Sequence, residues 1–295
     1  MTSTLTEPKT GRMAKSSKPV IVLRNIRKTY MMGHVAVEVL RGISMTIDPG
    51  DFVAIMGASG SGKSTTMHII GCLDVPSRGY YWLDGIDVRS LTDEDLSKIR
   101  NRKIGFVFQS FNLIPRLSVL ANVELPLTYR GVKKQERRER AVAALSATGM
   151  SHRLTHMPTE LSGGEQQRVA VARAVVTNPS ILLADEPTGN LASHQSAEVM
   201  NIFSQLNAEG RTVILVTHEE DIAEHAKRII RIQDGMVVGD TRSLPVDALP
   251  PRLDASSRKT ASRPISARLA DGSSPPHGLL LNTDTPSESI SRDSK

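Results

Sequence analysis

The sequence predicts an α/β domain built around a largely parallel sheet. Three observations predict it. Short apolar runs alternate with helical patterns through the middle of the chain. The run Phe52–Met56 leads straight into Gly57-Ala58-Ser59-Gly60-Ser61-Gly62-Lys63-Ser64-Thr65, a glycine-rich turn between a strand and a helix. A second apolar run, Ile181–Ala184, ends in the adjacent acids Asp185 and Glu186, as a buried strand opening on a crevice would.

In chain order, Val20–Leu23, Phe52–Met56, Ile104–Phe108, Ile181–Ala184, Val213–Val216 and Ile229–Ile232 read as strands. Residues 63–72, 133–148, 163–177 and 195–208 read as helices. Residues 20–56 hold several strand patterns and no good helix, so an antiparallel element is expected beside the parallel core. No internal repeat is visible. Tyr80-Tyr81-Trp82 reads as part of a sheet, and Cys72 as a small buried hydrophobe at a helix end. The mixed-charge run Lys133–Arg140 reads as a solvated helix face.

The ends differ from the middle. Residues 1–18 are polar and aperiodic, and 244–295 mix proline with Ser, Thr and Arg, so both read as disordered around a folded domain over 19–243. The net charge of +6 sits mostly there: +3 on residues 1–18, +2 on 241–295 and only +1 on the stretch between. A near-neutral folded part, in a chain with 3% aromatic residues, argues against a nucleic-acid partner. One cysteine excludes an internal disulfide framework. The chain shows no apolar run near the ~18 residues of a membrane span and no secretory signal pattern, so a cytoplasmic location is expected.

The turn Gly57–Thr65 has the phosphate-loop pattern. Its glycines let successive N–H groups face phosphate oxygens, and the helix that follows adds its positive end. Lys63 supplies a charge for the β- and γ-phosphates, and the Ser64 hydroxyl can ligate Mg²⁺. Asp185 and Glu186, on extended backbone, would point to opposite sides, Asp185 to the metal and Glu186 to an attacking water as general base. His218, at the end of another apolar run, could reach the γ-phosphate and steady that water. Ser162 then caps a helix that opens with Gly163-Gly164-Glu165. That is a second anion-binding helix end, and one nucleotide needs only one, so this segment is expected to serve the nucleotide of another copy.

Here the sequence resembles the ATP-binding subunits of ATP-binding-cassette transporters, over residues about 20–240. Gly57–Thr65 matches the Walker A loop, Leu161–Gln167 the family signature, Ile181–Glu186 Walker B and His218 the switch histidine. The resemblance implies that Tyr30 stacks on adenine. It also implies that Gln109 senses γ-phosphate and metal while touching the membrane partner. It implies a P-loop ATPase fold: a RecA-like mixed sheet, an antiparallel β subdomain and a helical signature subdomain. Phe108–Pro115, Asn122–Leu127 and Thr188–Leu191 look like the macrolide-exporter and lipoprotein-releasing group. The expected partners are a separate membrane permease, a second copy in an ATP sandwich and, through the permease, periplasmic adaptor proteins. The expected place is the cytoplasmic face of the inner membrane. One position departs from the pattern: Ala192 stands where the family usually has Asp, which puts the link between the two composite sites in question. A soluble cassette acting on ribosomes or DNA would usually carry a second cassette or coiled-coil insertions, and neither is visible. A module that moves a partner without transport stays open.

Overall fold

The computed structural model describes residues 18–242. The expectations for 1–17 and 243–295 lie outside the described residues. In chain order the elements are β1 (Ile21–Met32), β2 (Val35–Ile47), β3 (Phe52–Met56), α1 (Lys63–Ile70), β4 (Arg78–Leu83), β5 (Ile86–Asp87), α2 (Asp93–Lys103), β6 (Ile104–Phe108), α3 (Val119–Tyr129), α4 (Lys134–Ala147), α5 (Gly163–Val175), β7 (Ile181–Asp185), α6 (Ser193–Ala208), β8 (Thr212–Thr217), α7 (Glu220–Ala223), β9 (Arg228–Gln233) and β10 (Met236–Asp240).

Two sheets form. One has the order β2-β1-β4-β5 and is antiparallel throughout. The other runs β10-β9-β3-β8-β7-β6, parallel except for β10 at its edge. Every residue of β3 and β8 is buried, which is why these strands read as unbroken apolar runs and not as alternations. In β4 the alternation is clear. Tyr81 is fully buried and donates its hydroxyl to Ile70 O at 2.6 Å, while Tyr80 and Trp82 stack on the opposite face with centroids 5.6 Å apart.

Helix α5 belongs to two cores. Val171 and Ala174 pack with Leu182, Val199, Phe203 and Leu215 under the parallel sheet. Val169, Ala172 and Val176 pack with Val119, Val123, Leu127, Leu145 and Leu161 from the α3–α4 layer. The approach to the sheet is close: a Cβ on Gly105 of β6 would stand 2.4 Å from Ala174 O, so only glycine fits there. Among the described residues no helix is long and apolar enough to cross a membrane.

Two helices escape the apolar pattern. Helix α2 buries only Leu96 and Ile99, yet Thr92 caps it, Asp93, Glu94 and Asp95 fill its first turn, and Arg100, Arg102 and Lys103 its last. Its ends, not its face, mark it as a helix. Helix α3 contains Pro126, which reads as a breaker; here the helix continues through it although the proline has no N–H to donate. Buried Asn122 precedes it by one turn. Its side-chain amide donates to Ile114 O, Leu117 O and Ser118 O and its Oδ1 accepts from Ile114 N, pinning the loop that enters the helix.

Two stability outcomes follow. Arg228, almost wholly buried, forks onto Asp240 at 2.9 and 2.7 Å and donates to Thr46 O at 2.7 Å, tying the edge strand to β2. Burial pushes the Asp240 carboxyl up, but the Arg228 fork and the Arg242 N–H outweigh it and hold it below the ordinary 3.8. Its stabilisation is therefore present above 3.8 and is lost as pH falls through the lower folded value. Arg228→Met should cost roughly 3 kcal/mol in denaturant unfolding at neutral pH. It should also flatten the loss of stability as pH falls below 3.8. Ala192 is the N-cap of α6 and has no side-chain acceptor; Gln195 Oε1 reaches back to Ala192 N at only 3.4 Å. Ala192→Asp should raise nucleotide-free stability by about 1 kcal/mol, read as a higher thermal midpoint.

Candidate functional site

The parallel strands deliver their carboxyl ends to one edge in step. Met56 pairs with Thr217, Asp185 with Val216, and Phe108 with Asp185. The chain beyond β3, β8, β7 and β6 therefore places Gly57, His218, Glu186 and Gln109 along the same rim.

A cavity of about 510 Å³ opens there, lined by Ala58, Ser59, Gly60, Gly62, Lys63, Ser64 and Thr65 on one side and by Val39, Glu186 and His218 around it. The loop owes its path to close approach. A Cβ on Gly57 would lie 2.1 Å from Ile232 O and 2.6 Å from Ser61 Oγ. Lys63 is buried and donates to Ala58 O at 3.0 Å, which holds the ammonium inside the curl of the loop. Ser64, at the start of α1, is exposed to the cavity. Gly57 and Ser61 shape the loop from behind, outside the cavity lining.

Glu186 is not on extended backbone. It stands at φ 43°, left-handed, and its N–H continues the ladder by donating to Val216 O at 2.8 Å. The expectation that Asp185 and Glu186 simply alternate across a strand is corrected here: β7 ends at Asp185 and the chain turns sharply before Pro187. The turn is strained, of order 1–3 kcal/mol for a non-glycine residue, and the surrounding contacts hold it. One of these is buried Gln167 of α5, whose Nε2 donates to Pro187 O at 2.6 Å. So aimed, Glu186 Oε1 meets His218 Nδ1 at 2.9 Å. An ionised carboxylate only accepts, so Nδ1 carries the hydrogen of that bond.

Asp185 lies behind the cavity lining, half-buried. Burial and then the neighbouring Glu186 charge push its carboxyl up, against the pull of His68 and Lys63. Among the described residues no side chain donates a hydrogen bond to it. A carboxylate so placed is relieved by a cation. Among the described residues no group of three or more His, Cys, Asp or Glu could hold a metal unaided. The oxygens the site offers, the Ser64 hydroxyl in the cavity lining and the Asp185 carboxylate behind it, are hard donors of the kind that bind Mg²⁺ together with phosphate oxygens and water.

Tyr30 and Gln109 sit outside the cavity lining. Tyr30, on β1, is half-buried, and its hydroxyl donates to Asp74 Oδ2 at 2.8 Å. Lys28, two residues earlier on the same face, bonds Asp74 Oδ1 and places its ammonium 4.8 Å from the Tyr30 ring centroid. Gln109 turns toward the segment after Glu186. Its Nε2 is 2.8 Å from where a Cβ on Gly189 would stand, and its carbonyl accepts from Asn190 Nδ2 at 3.1 Å. Ser162, Gly163, Gly164 and Glu165 are absent from the cavity lining as well. They form the opening turn of α5 as a closed capping box. Ser162 Oγ accepts from Glu165 N, and Glu165 Oε2 accepts from Ser162 N at 2.9 Å. That backbone bond, with help from Ser162 Oγ and Arg153, outweighs burial and holds the Glu165 carboxyl below its ordinary range. The side chains that sequence patterns did not single out are Val39, Lys28, Asp74 and Arg173. Of these only Lys28 left a trace, the i, i+2 spacing to Tyr30.

Residues 40–189 match the ABC transporter family. The chain is 56% identical over 221 residues to the macrolide export ATP-binding/permease protein MacB of Syntrophobacter fumaroxidans, covering 74% of this chain and 31% of that protein. It is 53% identical over 219 residues to the ABC transporter ATP-binding protein YknY of Bacillus subtilis, covering 74% of this chain and 95% of that one. The chain thus spans about a third of the length of the first relative and nearly all of the second. Among solved structures, the dimeric bacterial ABC transporter cassette MJ0796 superposes with a TM-score of 0.70 at 48% identity, over 75% of this chain and 97% of that one. The same cassette is also known as a dimer in a post-hydrolysis state bound to ADP and Pi, 46% identical to this chain with a TM-score of 0.70. The mixed parallel sheet with its antiparallel and helical layers is the ABC ATPase fold, and the chain belongs to the ABC transporter family as an ATP-binding subunit.

Proposed function

We propose that this subunit, over a domain spanning 19–243, hydrolyses ATP to drive a separate membrane permease that exports or releases a peptide, a lipoprotein or a hydrophobic compound. The MacB relatives, whose names join macrolide export to a permease, support the export direction. In this reading the subunit works at the cytoplasmic face of the inner membrane, and the permease links it to periplasmic adaptor proteins.

The observation that carries the reading is the Glu186–His218 pair, 2.9 Å apart on the rim of a cavity whose other wall is the Lys63 loop. The loop amides and Lys63 cradle the β- and γ-phosphates, while Tyr30 stacks on the base. Ser64, Asp185 and Gln109 would hold Mg²⁺, which would supply charge neutralisation for the phosphates. Glu186 accepts the proton of the attacking water through the carboxylate oxygen not engaged by His218. His218 keeps that carboxylate oriented and presents its other ring nitrogen to water and γ-phosphate.

Closure needs a second copy. Ser162, Gly163 and Gly164 lie off their own chain's cavity, and the Gly163 and Gly164 amides have no acceptor within the chain among the described residues. They are placed to close over the partner copy's nucleotide, and loss of the γ-phosphate charge would release them.

Glu186→Gln should retain ATP binding while turnover falls about 10²–10⁴-fold, with an ATP-bound dimer accumulating in size-exclusion chromatography. Near-normal turnover would remove Glu186 from the role of base. Ala192→Asp should also strengthen ATP-dependent association. Measuring dimerisation beside the nucleotide-free thermal midpoint separates that contact from the helix cap.

A further inference from the structure

The loop that follows Gln109 is bent against its own preference. Phe111 and Asn112 stand consecutively at φ 59° and 50°, both left-handed and neither a glycine. Asparagine tolerates that region, but a bulky phenylalanine stays there only when its surroundings over-determine it.

Arg173 of α5 is the group that does so. Its Nη2 donates to Phe111 O at 2.8 Å and its Nη1 donates to Asn112 O. The guanidinium is half-buried, and among the described residues no carboxylate pairs with it. A planar fork meeting two successive carbonyls fixes the peptide planes between them, which a point charge could not do.

The bend sends the Phe111 ring to the other end of the same helix. A Cβ on Gly163 would lie 3.7 Å from Phe111 Cζ and 3.4 Å from Leu191 Cδ2. The loop is thus bonded to α5 near its last turn, through Arg173, and packed on its first residue, through Phe111. Its own start is bonded to Asn190, beside Leu191. If the left-handed bend relaxed to an extended one, the ring would leave Gly163.

We propose that Arg173 is a positioning residue. It holds the 111–112 bend so that Phe111 seats on Gly163, and a displacement at Gln109 becomes a displacement of the Ser162–Glu165 turn. This rests on the reading of that turn as the part offered to a second copy, and extends it by naming the latch between the permease-facing loop and the turn.

The test uses the full chain and two variants. Arg173→Lys keeps a charge but loses the fork. Amide exchange over 109–113 should rise about ten- to a hundredfold, the worth of a hydrogen bond to a charged group. kcat for ATP should fall about 5- to 150-fold with KM unchanged, the range of ordinary coupling between sites. Phe111→Ala keeps the Arg173 bonds, because they go to carbonyls, and removes only the ring. It should leave exchange over 109–113 near that of the unaltered chain and lower kcat to a similar extent. Unaltered kcat in Phe111→Ala would overturn the proposal, and does so even if Arg173→Lys fails to fold. So would an exchange rise in Arg173→Lys spread evenly over α3, α4 and α5, which marks a purely structural arginine. If the unaltered chain hydrolyses ATP at a specific rate independent of protein concentration, the two-copy reading itself fails, and the latch with it. Concentration-dependent hydrolysis with indifferent variants overturns the latch alone.

Discussion

One constraint governs the molecule: β3, β8, β7 and β6 run parallel and in register, so their carboxyl ends stop at a common edge. Residues from distant parts of the chain meet there without any long-range contact designed for the purpose. Strands buried on both faces cannot choose their register by polar alternation. It is set by the layers packed on them, most tightly where α5 crosses Gly105 with no room for a side chain. The ladder carries on for one residue past β7, through the Glu186 amide, and that bond is what lets the backbone turn left-handed with its carboxylate aimed at His218.

The second organising element is α5. Most globular helices bury one stripe. This one is buried on two sides, in the core beneath the sheet and in the core of the α3–α4 layer. Its N-cap Ser162 can therefore be exposed and its first turn built on two glycines, while the rest of the helix keeps that turn fixed relative to both layers. Gln167 and Arg173 use the same rigid body to hold Pro187 and the loop after Gln109.

Much of this was legible in the sequence, and the division has a physical basis. Gly57–Thr65 and Ser162–Glu165 declare themselves because backbone amides at a helix start tolerate few residue types. The apolar runs declare β3, β7 and β8 because burial on both faces admits little else. What stayed hidden depends on conformation or on carbonyls, which every residue carries. The left-handed Glu186 follows from a ladder bond, the grip of Arg173 from two peptide oxygens, and the caging of the Asn112–Ser118 loop from one buried asparagine. Helix α3 was hidden by Pro126, and α2 by its thin apolar stripe, though its caps and end charges spell it out. Tyr30 could be named from its resemblance, but not its pinning by Asp74 and Lys28, since Asp74 is brought in by the turn after α1.

The stacked Tyr80–Trp82 pair has an optical consequence. Trp82 is the only tryptophan in the chain, and it is paired with Val22 of β1. Tyr30 lies eight residues further along that strand, roughly 25 Å away at the rise of extended chain. Indole emission therefore reports on the antiparallel sheet, and through Tyr81, which bonds Ile70 O, on the far end of the helix that Lys63 opens. A single native indole at this place makes the antiparallel layer visible by itself, without a label.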